Sequence, residues 1–283
     1  MTQRANQPEP SRSKSGPVPL SRPASSHMKM SATTARRLWG LLVLGLLWQL
    51  GAWWVQSDLL PAPSSVLVEL WQLSAQGDLL YHVSVTLLRV LASFVLAFGV
   101  GVLMGALMGS LPRVDQWLEG LLIFALNVPA LVTIILCYIW FGLTEAAAIF
   151  AVAVNKIPTV VIAVREGAKS IDQSLLDVGR VFGVRRRTLL FQLYLPQLYP
   201  YLFGAARNGL ALIWKIVLVV ELLGRSDGVG FQLGTLFQYF DIEGLLAYTL
   251  AFVLVILLIE QFVFRPLEAR VFGWRARPSS RAE

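Results

Sequence analysis

Of the charged side chains inside long apolar segments of the sequence, three are candidates for lining a pathway. Lys156 falls within Ala146–Val164, and Lys215 and Glu221 fall within Leu202–Gly224. An ionised side chain at the centre of a bilayer costs about 2.5–3.5 kcal/mol on insertion scales, so it normally faces protein or water. Lys215 and Glu221 are six residues apart. They do not share a helix face, because neighbours on one face are three or four residues apart. Two interpretations stay open: these residues line a pathway that attracts an anion, or each lysine pairs with a carboxylate on a neighbouring helix.

No set of residues has the spacing of a catalytic or metal-binding site. Cys137 is the single cysteine, and His27 and His82 are not spaced as paired ligands on one helix. The glycine-dense run Gly99–Gly109 lacks the Gly-Lys-Ser/Thr ending that a phosphate-binding loop requires. The sequence therefore predicts no catalytic residue, no metal and no cofactor.

The composition places the chain in a membrane. Hydrophobic residues make up 56% of the sequence and charged residues 14%, whereas a soluble chain has about 25% charged residues. The nine tryptophans lie mostly in apolar runs, so the net charge of +7 does not indicate a nucleic-acid-binding surface.

Six apolar segments approach the length of about 20 residues that a bilayer-crossing helix needs. We therefore predict an all-α, polytopic membrane protein with a transmembrane domain over residues 36–265. The tail 1–35 is expected to be disordered, because it has few large apolar side chains, and residues 266–283 form a second tail. The six predicted spans are Leu38–Val55, Val90–Gly109, Gly120–Phe141, Ala146–Val164, Leu202–Gly224 and Gly244–Phe264.

Several residues of the spans carry their own expectations. Arg89, near the outer end of the second span, is expected to extend its charged group to the headgroups. Pro129 and Pro158 are expected to kink the third and fourth spans. The small-residue spacing of Gly101, Gly105 and Gly109 predicts a close helix approach, within the subunit in preference to a dimer seam.

The distribution of lysine and arginine predicts the orientation. Basic residues concentrate in the N-terminal tail, in the loop 165–200 and in the C-terminal tail, whereas residues 56–81 contain none. Because cytoplasmic segments carry the excess of basic residues, both termini and the loop are expected in the cytoplasm. Attraction to anionic membrane lipid is a sufficient explanation for these clusters.

The loop 165–200 has a helix–glycine–helix pattern. Ser170 followed by Gln173 has the form of a capping box, and Gly183 is suited to end a helix. A second short helix is predicted to end before Pro196. An amphipathic hairpin at the lipid headgroups would have the same pattern. Apolar residues of the first helix share one face: Ile171, Leu175, Val178 and Phe182.

The residues of this loop resemble a known signature. Asp177-Val178-Gly179, three residues, Gly183, nine residues, Leu193, one residue and Leu195-Pro196 match the spacing of the EAA motif of bacterial ABC importer permeases. The substitutions are Asp for Glu, Val and Gly for the two Ala, and Leu for Ile. Over residues 38–265 the chain is similar to permeases for nitrate, taurine and aliphatic sulfonates, for example at Thr86-Leu87-Leu88-Arg89 and at Glu221-Leu222-Leu223-Gly224.

This resemblance implies a transport subunit of the bacterial inner membrane that works as a dimer, expected to be a homodimer. Its partners would be cytoplasmic ABC ATPase subunits and a periplasmic solute-binding protein, and its cargo a small anion of the sulfonate, taurine or nitrate class. Ile171–Phe182 would be the coupling helix that docks on the ATPase. Gly179 and Gly183 would allow close backbone approach there, and Asp177 would meet polar groups. Glycine at 179 weakens this helix by about 1 kcal/mol relative to alanine.

Two other classes of protein fit the sequence less well. A gradient-driven carrier or channel explains the spans and the charges within them, but not the signature spacing of Asp177–Pro196. A membrane enzyme needs polar residues clustered at one interface, and the sequence contains no such cluster. The sequence does not identify the solute.

Overall fold

The structure, a computed structural model, describes residues 32–57 and 59–272, and all regular secondary structure within them is helical. Contacts between residues divide the chain into two units, Met1–Leu47 and Trp48–Glu283. The helical bundle belongs to the second unit. Residues 1–31 and 273–283, which hold most of the two predicted tails, lie outside the described residues. The helices are α1 Ala32–Val55, α2 Pro63–Gln76, α3 Leu79–Ser110, α4 Pro112–Asn127, α5 Ala130–Phe141, α6 Glu145–Lys169, α7 Gln173–Val181, α8 Arg186–Thr188, α9 Leu195–Gly224, α10 Val229–Gln238, α11 Ile242–Ile259 and α12 Arg265–Phe272.

Four continuous helical stretches in the described residues are long and apolar enough to cross a membrane: Leu79–Ser110, Glu145–Lys169, Arg186–Gly224 and Ile242–Arg270. A fifth crossing exists if the bent pair α4 and α5 is one span. The apolar part of α1, Leu42–Val55, is shorter. We call the end of the bundle where α3 begins and α9 finishes its outer end.

The third predicted span, Gly120–Phe141, is broken and not merely kinked. Its two halves, α4 and α5, meet at 95°. Val128 and Pro129 both have extended backbone angles there. For Val128 the following proline favours this conformation, because the proline ring disfavours the helical region for the residue before it. Pro158 behaves differently, since α6 continues through it from Glu145 to Lys169. The same residue type therefore ends one helix and is tolerated in another.

Helix α6 lies at the centre of the bundle against α3. Ala151, Val161 and Val164 of α6 are completely buried. The three spaced glycines of α3 face this helix: a Cβ atom on Gly105 would lie 2.7 Å from the carbonyl oxygen of Val161, and one on Gly109 would lie 2.4 Å from the Cβ of Ala168. The small-residue spacing therefore serves packing within the subunit, as predicted.

The segment between α6 and α9 is more helical than predicted. α6 extends to Lys169, so the non-helical connection begins at Ser170 and not at residue 165. The second helix does not end before Pro196, because a π-helical segment, Leu189–Tyr194, joins α8 to α9 without a break. Proline cannot donate to the carbonyl four residues earlier and its ring crowds that carbonyl. The wider π turn immediately before Pro196 is where the helix accommodates both effects.

Candidate functional site

The short helix α7 begins at a different cap from the predicted one. Asp172 is its N-cap, and Oδ1 of Asp172 accepts hydrogen bonds from the backbone N–H of Ser174 at 2.9 Å and from its hydroxyl at 2.6 Å. These bonds hold the pKa of the Asp172 carboxyl below its usual value. Ser170 instead follows the end of α6 and donates to the carbonyl oxygen of Gly167 at 2.8 Å. The predicted capping box at Ser170 and Gln173 is therefore wrong. Helix α6 continues beyond the apolar segment that predicted it, so Ser170 lies at the end of α6 and not at the start of α7.

Helix α7 has one covered face and one uncovered face. Ile171, just before it, and Leu176 are buried at 5% and 7% exposure. Leu175, Val178 and Phe182 keep 48%, 54% and 80% of their surface. Four apolar residues were predicted to share one face, but only Ile171 among them is covered by this chain.

The signature residues of the loop divide between internal contacts and the surface. A Cβ on Gly179 would lie 2.4 Å from Cδ2 of Leu189 and 3.3 Å from Cδ1 of Leu193, so Gly179 allows the π-helical segment to approach α7. Gly183 has a φ of +69°, and the N–H of Val184 bonds the carbonyl of Gly179 at 3.0 Å. Gly183 therefore ends α7 in the left-handed conformation, as predicted.

Polar contacts attach the beginning of α7 to α9. Gln197, beside Pro196, accepts a hydrogen bond from the N–H of Asp172 at 3.0 Å and donates to the carbonyl of Leu193 at 3.0 Å. Leu195 and Pro196 form the first turn of α9. Asp177 is exposed and pairs with Arg180 at 2.8 Å. The loop is thus fixed to the span that continues from it.

Neither lysine predicted within a span has an ion-pair partner among residues 32–57 and 59–272. Lys156 is half-buried in α6, and Lys215 is exposed on α9. Lys215 lies in a row of exposed residues spaced by three or four, which is the spacing of one helix face, and Val219 and Leu222 follow it in this row. The residues before it in the row are Tyr201, Gly204, Asn208 and Ala211.

Glu221, grouped with the lysines in the sequence, belongs to a different site. Its side chain is 0% exposed. It accepts hydrogen bonds from Nη1 of Arg89 at 2.8 Å, the hydroxyl of Thr86 at 3.0 Å and the N–H of Gly230 at 2.8 Å. The bonds come from α3 and from the first residues of α10, so Glu221 joins three elements at the outer end.

Arg89 is the centre of this group, which we call the outer cluster: Arg89, Glu145, Glu221, Arg225 and Asp227. The expectation that Arg89 extends to the headgroups is wrong, because it is 3% exposed. It binds both carboxylate oxygens of Glu145 at 2.6 and 2.9 Å, and it binds the Asp227 carboxylate and backbone carbonyl. Arg225 also donates to Glu145. Each buried charge thus has an opposite charge beside it, which is the condition for burial.

The backbone around the cluster depends on glycine. Gly228 has a φ of +102°, and a Cβ there would lie 2.4 Å from Cδ of Glu221. The N–H of Gly228 bonds Nδ1 of His82 at 3.0 Å. A Cβ on Gly230 would lie 2.2 Å from the carbonyl of Leu218. These glycines let the 225–230 turn close over the carboxylate.

The electrostatics of the turn follow from these contacts. Burial by itself would raise the pKa of Asp227, but the hydrogen bond and charge of Arg89 outweigh it, and the pKa of Asp227 is lowered. The cluster was missed because its members are far apart in sequence. One signal was available: the predicted orientation already places Arg89, Glu145 and Glu221 at the same end of their spans.

Known proteins resemble the chain over most of its length. Residues 77–271 match the family model described as "Binding-protein-dependent transport system inner membrane component". The putative aliphatic sulfonates transport permease SsuC of Escherichia coli is 30% identical over 65% of this chain and 71% of its own length. The SsuC protein of Bacillus subtilis is 28% identical over 82% and 85%. The E. coli taurine transport permease TauC is 26% identical over 80% and 86%.

Solved structures agree with the fold. An inward-facing MetNI methionine ABC transporter chain superposes with a TM-score of 0.59 at 19% identity, over 69% of this chain and 97% of that one. A chain of an amino acid ABC transporter superposes with a TM-score of 0.56 at 20% identity, over 71% and 97%. With a family match that covers more than half of the sequence, the chain belongs to the inner membrane components of binding-protein-dependent transport systems, the permease subunits of ABC transporters.

Proposed function

We propose that the chain is the membrane-spanning subunit of an ATP-driven importer for a small anion of the sulfonate or taurine class. Membership of the permease family carries the transport part of this proposal. Two relatives are named as permeases for aliphatic sulfonates and for taurine, and these names support the proposed class of solute. A separate cytoplasmic ATPase would supply the energy, a periplasmic binding protein would deliver the solute, and a second copy of the chain would complete the pathway.

The proposed topology has six crossings with both termini in the cytoplasm. It counts the four long helical stretches, the bent pair α4 and α5, and α1. The basic residues of the 165–200 segment support a cytoplasmic location for α7. Labelling tests this orientation: in a Cys137→Ser background, Val181→Cys should react with an impermeant maleimide only in inverted vesicles, and Ser57→Cys only in whole cells with a permeable outer membrane.

Helix α7 is the proposed coupling element. Its apolar residues Leu175, Val178 and Phe182 are uncovered in this chain, and a second protein surface would remove them from water. Asp177, Val178 and Gly183 would lie at the contact, whereas Gly179, which is buried against Leu189, would support it from within the chain. Leu193, Leu195 and Pro196 would transmit its movement to α9, because they lie where the π-helical segment joins that span.

A charge on this apolar face tests the coupling proposal. Val178→Asp should reduce the ATPase that copurifies with the chain by about tenfold or more, because the carboxylate would be buried without a partner. Gln173→Asp is the matched control, as it adds the same charge on the opposite face of α7. Equal recovery of the ATPase with both variants would refute α7 as the contact. The absence of any copurifying ATPase, together with uptake that continues without ATP, would favour a gradient-driven carrier.

The uncovered row on α9 is the proposed lining of the pathway, together with Lys156. Lys215 is charged, exposed and without a carboxylate partner in the described residues, and a charge within a span normally faces water or protein. Glu221 is left out of this lining, because it is enclosed by the outer cluster.

Lysine substitutions test the pathway. Lys215→Met should lower ATP-dependent uptake of taurine or an alkanesulfonate into proteoliposomes by about tenfold, whereas Lys215→Arg should retain most of it, because an anion responds to the charge. Unchanged uptake by Lys215→Met would refute the role of this residue and leave the family function intact.

A further inference from the structure

A cavity of about 450 Å³ lies beside α7, away from its uncovered apolar face. Its lining comes from α7, α8 and the π-helical segment: Leu176, Arg180, Arg186, Leu189, Leu190 and Tyr194. Leu176 and Arg180 are four residues apart and share one face of α7, whereas Leu175, Val178 and Phe182 lie on the opposite side. A ligand in the cavity would therefore leave the proposed ATPase-binding face free.

One hydrogen bond fixes the level of the cavity along the bundle. The hydroxyls of Tyr194 and Ser110 are 2.9 Å apart, and Ser110 is the last residue of the apolar helix α3. The cavity thus lies where an apolar span ends. In a membrane this is the level of the lipid headgroups.

The polar side of the cavity is basic. Arg186 is exposed and has no ion pair or hydrogen bond to another side chain among the described residues, and Arg185 and Arg187 on either side are also exposed. Arg180 uses one nitrogen for Asp177, at 2.8 Å, which leaves its other N–H groups available. Two guanidinium groups on one wall can form paired hydrogen bonds with phosphate oxygens, a geometry that lysine does not provide.

The other side of the cavity is apolar. Leu189, Leu190 and the ring of Tyr194, which are at least partly exposed, would remain in contact with water if only a phosphate ion were bound. The glycerol and first methylene groups of a lipid would cover them, since removal of apolar surface from water is favourable. The combination of two arginines and an apolar wall therefore favours a phospholipid over free phosphate.

We propose that this cavity binds the phosphate group of an anionic phospholipid, with Arg180 and Arg186 holding the phosphate and Leu189 and Leu190 lying against the glycerol. The lipid would attach α7 and the π-helical segment to the membrane surface. The inference rests on the proposed cytoplasmic position of this end of α9, but not on docking of the ATPase.

Native mass spectrometry of the detergent-purified full chain, titrated with phosphatidylglycerol or phosphatidylcholine, tests the proposal. We expect tighter binding of phosphatidylglycerol, and loss of about tenfold in its apparent affinity for Arg180→Gln/Arg186→Gln, because charge-assisted bonds to the phosphate are removed. Arg113→Gln/Arg187→Gln is the matched control, since it removes two exposed arginines from the same end of the bundle that do not line the cavity.

Each alternative has a distinct result. Equal losses for Arg180→Gln/Arg186→Gln and for Arg113→Gln/Arg187→Gln would show general attraction of lipid to a basic surface and would refute the site. Displacement of the lipid by millimolar inorganic phosphate or glycerol 3-phosphate would show a soluble phosphate ligand, which also refutes it. Unchanged lipid binding with loss of the copurifying ATPase would assign the arginines to the ATPase contact. Maleimide labelling at position 181 separately reports whether the proposed orientation has failed.

Discussion

Removal of Arg89 should destabilise the protein far more than removal of its most deeply buried partner. Arg89 makes five hydrogen bonds, to Glu145, Glu221 and Asp227. In Arg89→Met, the Glu221 carboxylate would remain at 0% exposure with only neutral donors, Thr86 and the N–H of Gly230. Loss of one partner of a buried ion pair costs about 3–5 kcal/mol. We therefore expect a decrease in melting temperature of about 6–20 °C, at about 2–4 °C per kcal/mol for a chain of this size.

The partner variant is expected to be milder. Glu221→Gln keeps an oxygen for Gly230 and leaves Arg89 with Glu145 and Asp227 as counter-charges. Its expected cost is about 1–3 kcal/mol, the range for a lost hydrogen bond to a charged group. The double variant should be more stable than Arg89→Met, because it no longer buries an unpaired carboxylate.

Thermal unfolding in detergent, followed by intrinsic fluorescence at several scan rates, measures these differences. Arg207→Met is a suitable control, because Arg207 pairs with Glu260 and Glu268 while keeping 42% of its side chain exposed, and exposed pairs contribute only about 0–1 kcal/mol. An unpaired buried carboxylate is not the cause of the loss if Glu221→Gln is as damaging as Arg89→Met, or if the double variant shows the sum of the two losses.

Three further predictions concern other parts of the fold. Gly105→Leu should prevent α3 from approaching α6 and lower the melting temperature sharply, whereas Gly99→Ala, which meets no atom within 4 Å, should not. Asp172→Ala should remove the N-cap of α7 and increase the amide hydrogen exchange of its first turn, but Ser170→Ala should leave that exchange unchanged. The lowered pKa of Asp227 contributes stability above the ordinary carboxyl pKa of about 3.9 that is lost as pH falls through the folded-state value. In melting curves recorded between pH 3 and 6, the decrease in melting temperature towards acid pH should therefore be smaller for Asp227→Asn than for the unchanged protein.

The sequence predicts the features that depend on local spacing. The glycines at 101, 105 and 109 form one face of a helix, and such a face requires a close neighbour, which is α6. Gly183 likewise follows from local chemistry, since its left-handed φ favours glycine. In both cases the determining residues lie within a few turns of one another.

Features that depend on distant contacts were missed. Arg89 lies at the end of an apolar segment, where an arginine is expected to extend to the membrane surface. Its burial depends on carboxylates 56 and 132 residues later in the chain. The contrast between Pro129 and Pro158 is also not fixed by the residue type, since Pro158 is buried in the bundle and Pro129 is exposed. The N-cap of α7 was misplaced because α6 continues to Lys169, beyond its apolar pattern.

The outer cluster also has a consequence for biogenesis. During synthesis, α3 is complete before Glu145 is added to the chain, and long before Glu221 is added. Arg89 has no carboxylate within its own helix, so its partners are missing during this interval. Until α6 and α9 arrive, an arginine at this depth is most stable with its guanidinium drawn toward the lipid interface. It can sink to its final position only when the last partner emerges. The outer end of the bundle must therefore close late in assembly, after the ninth helix has entered the membrane.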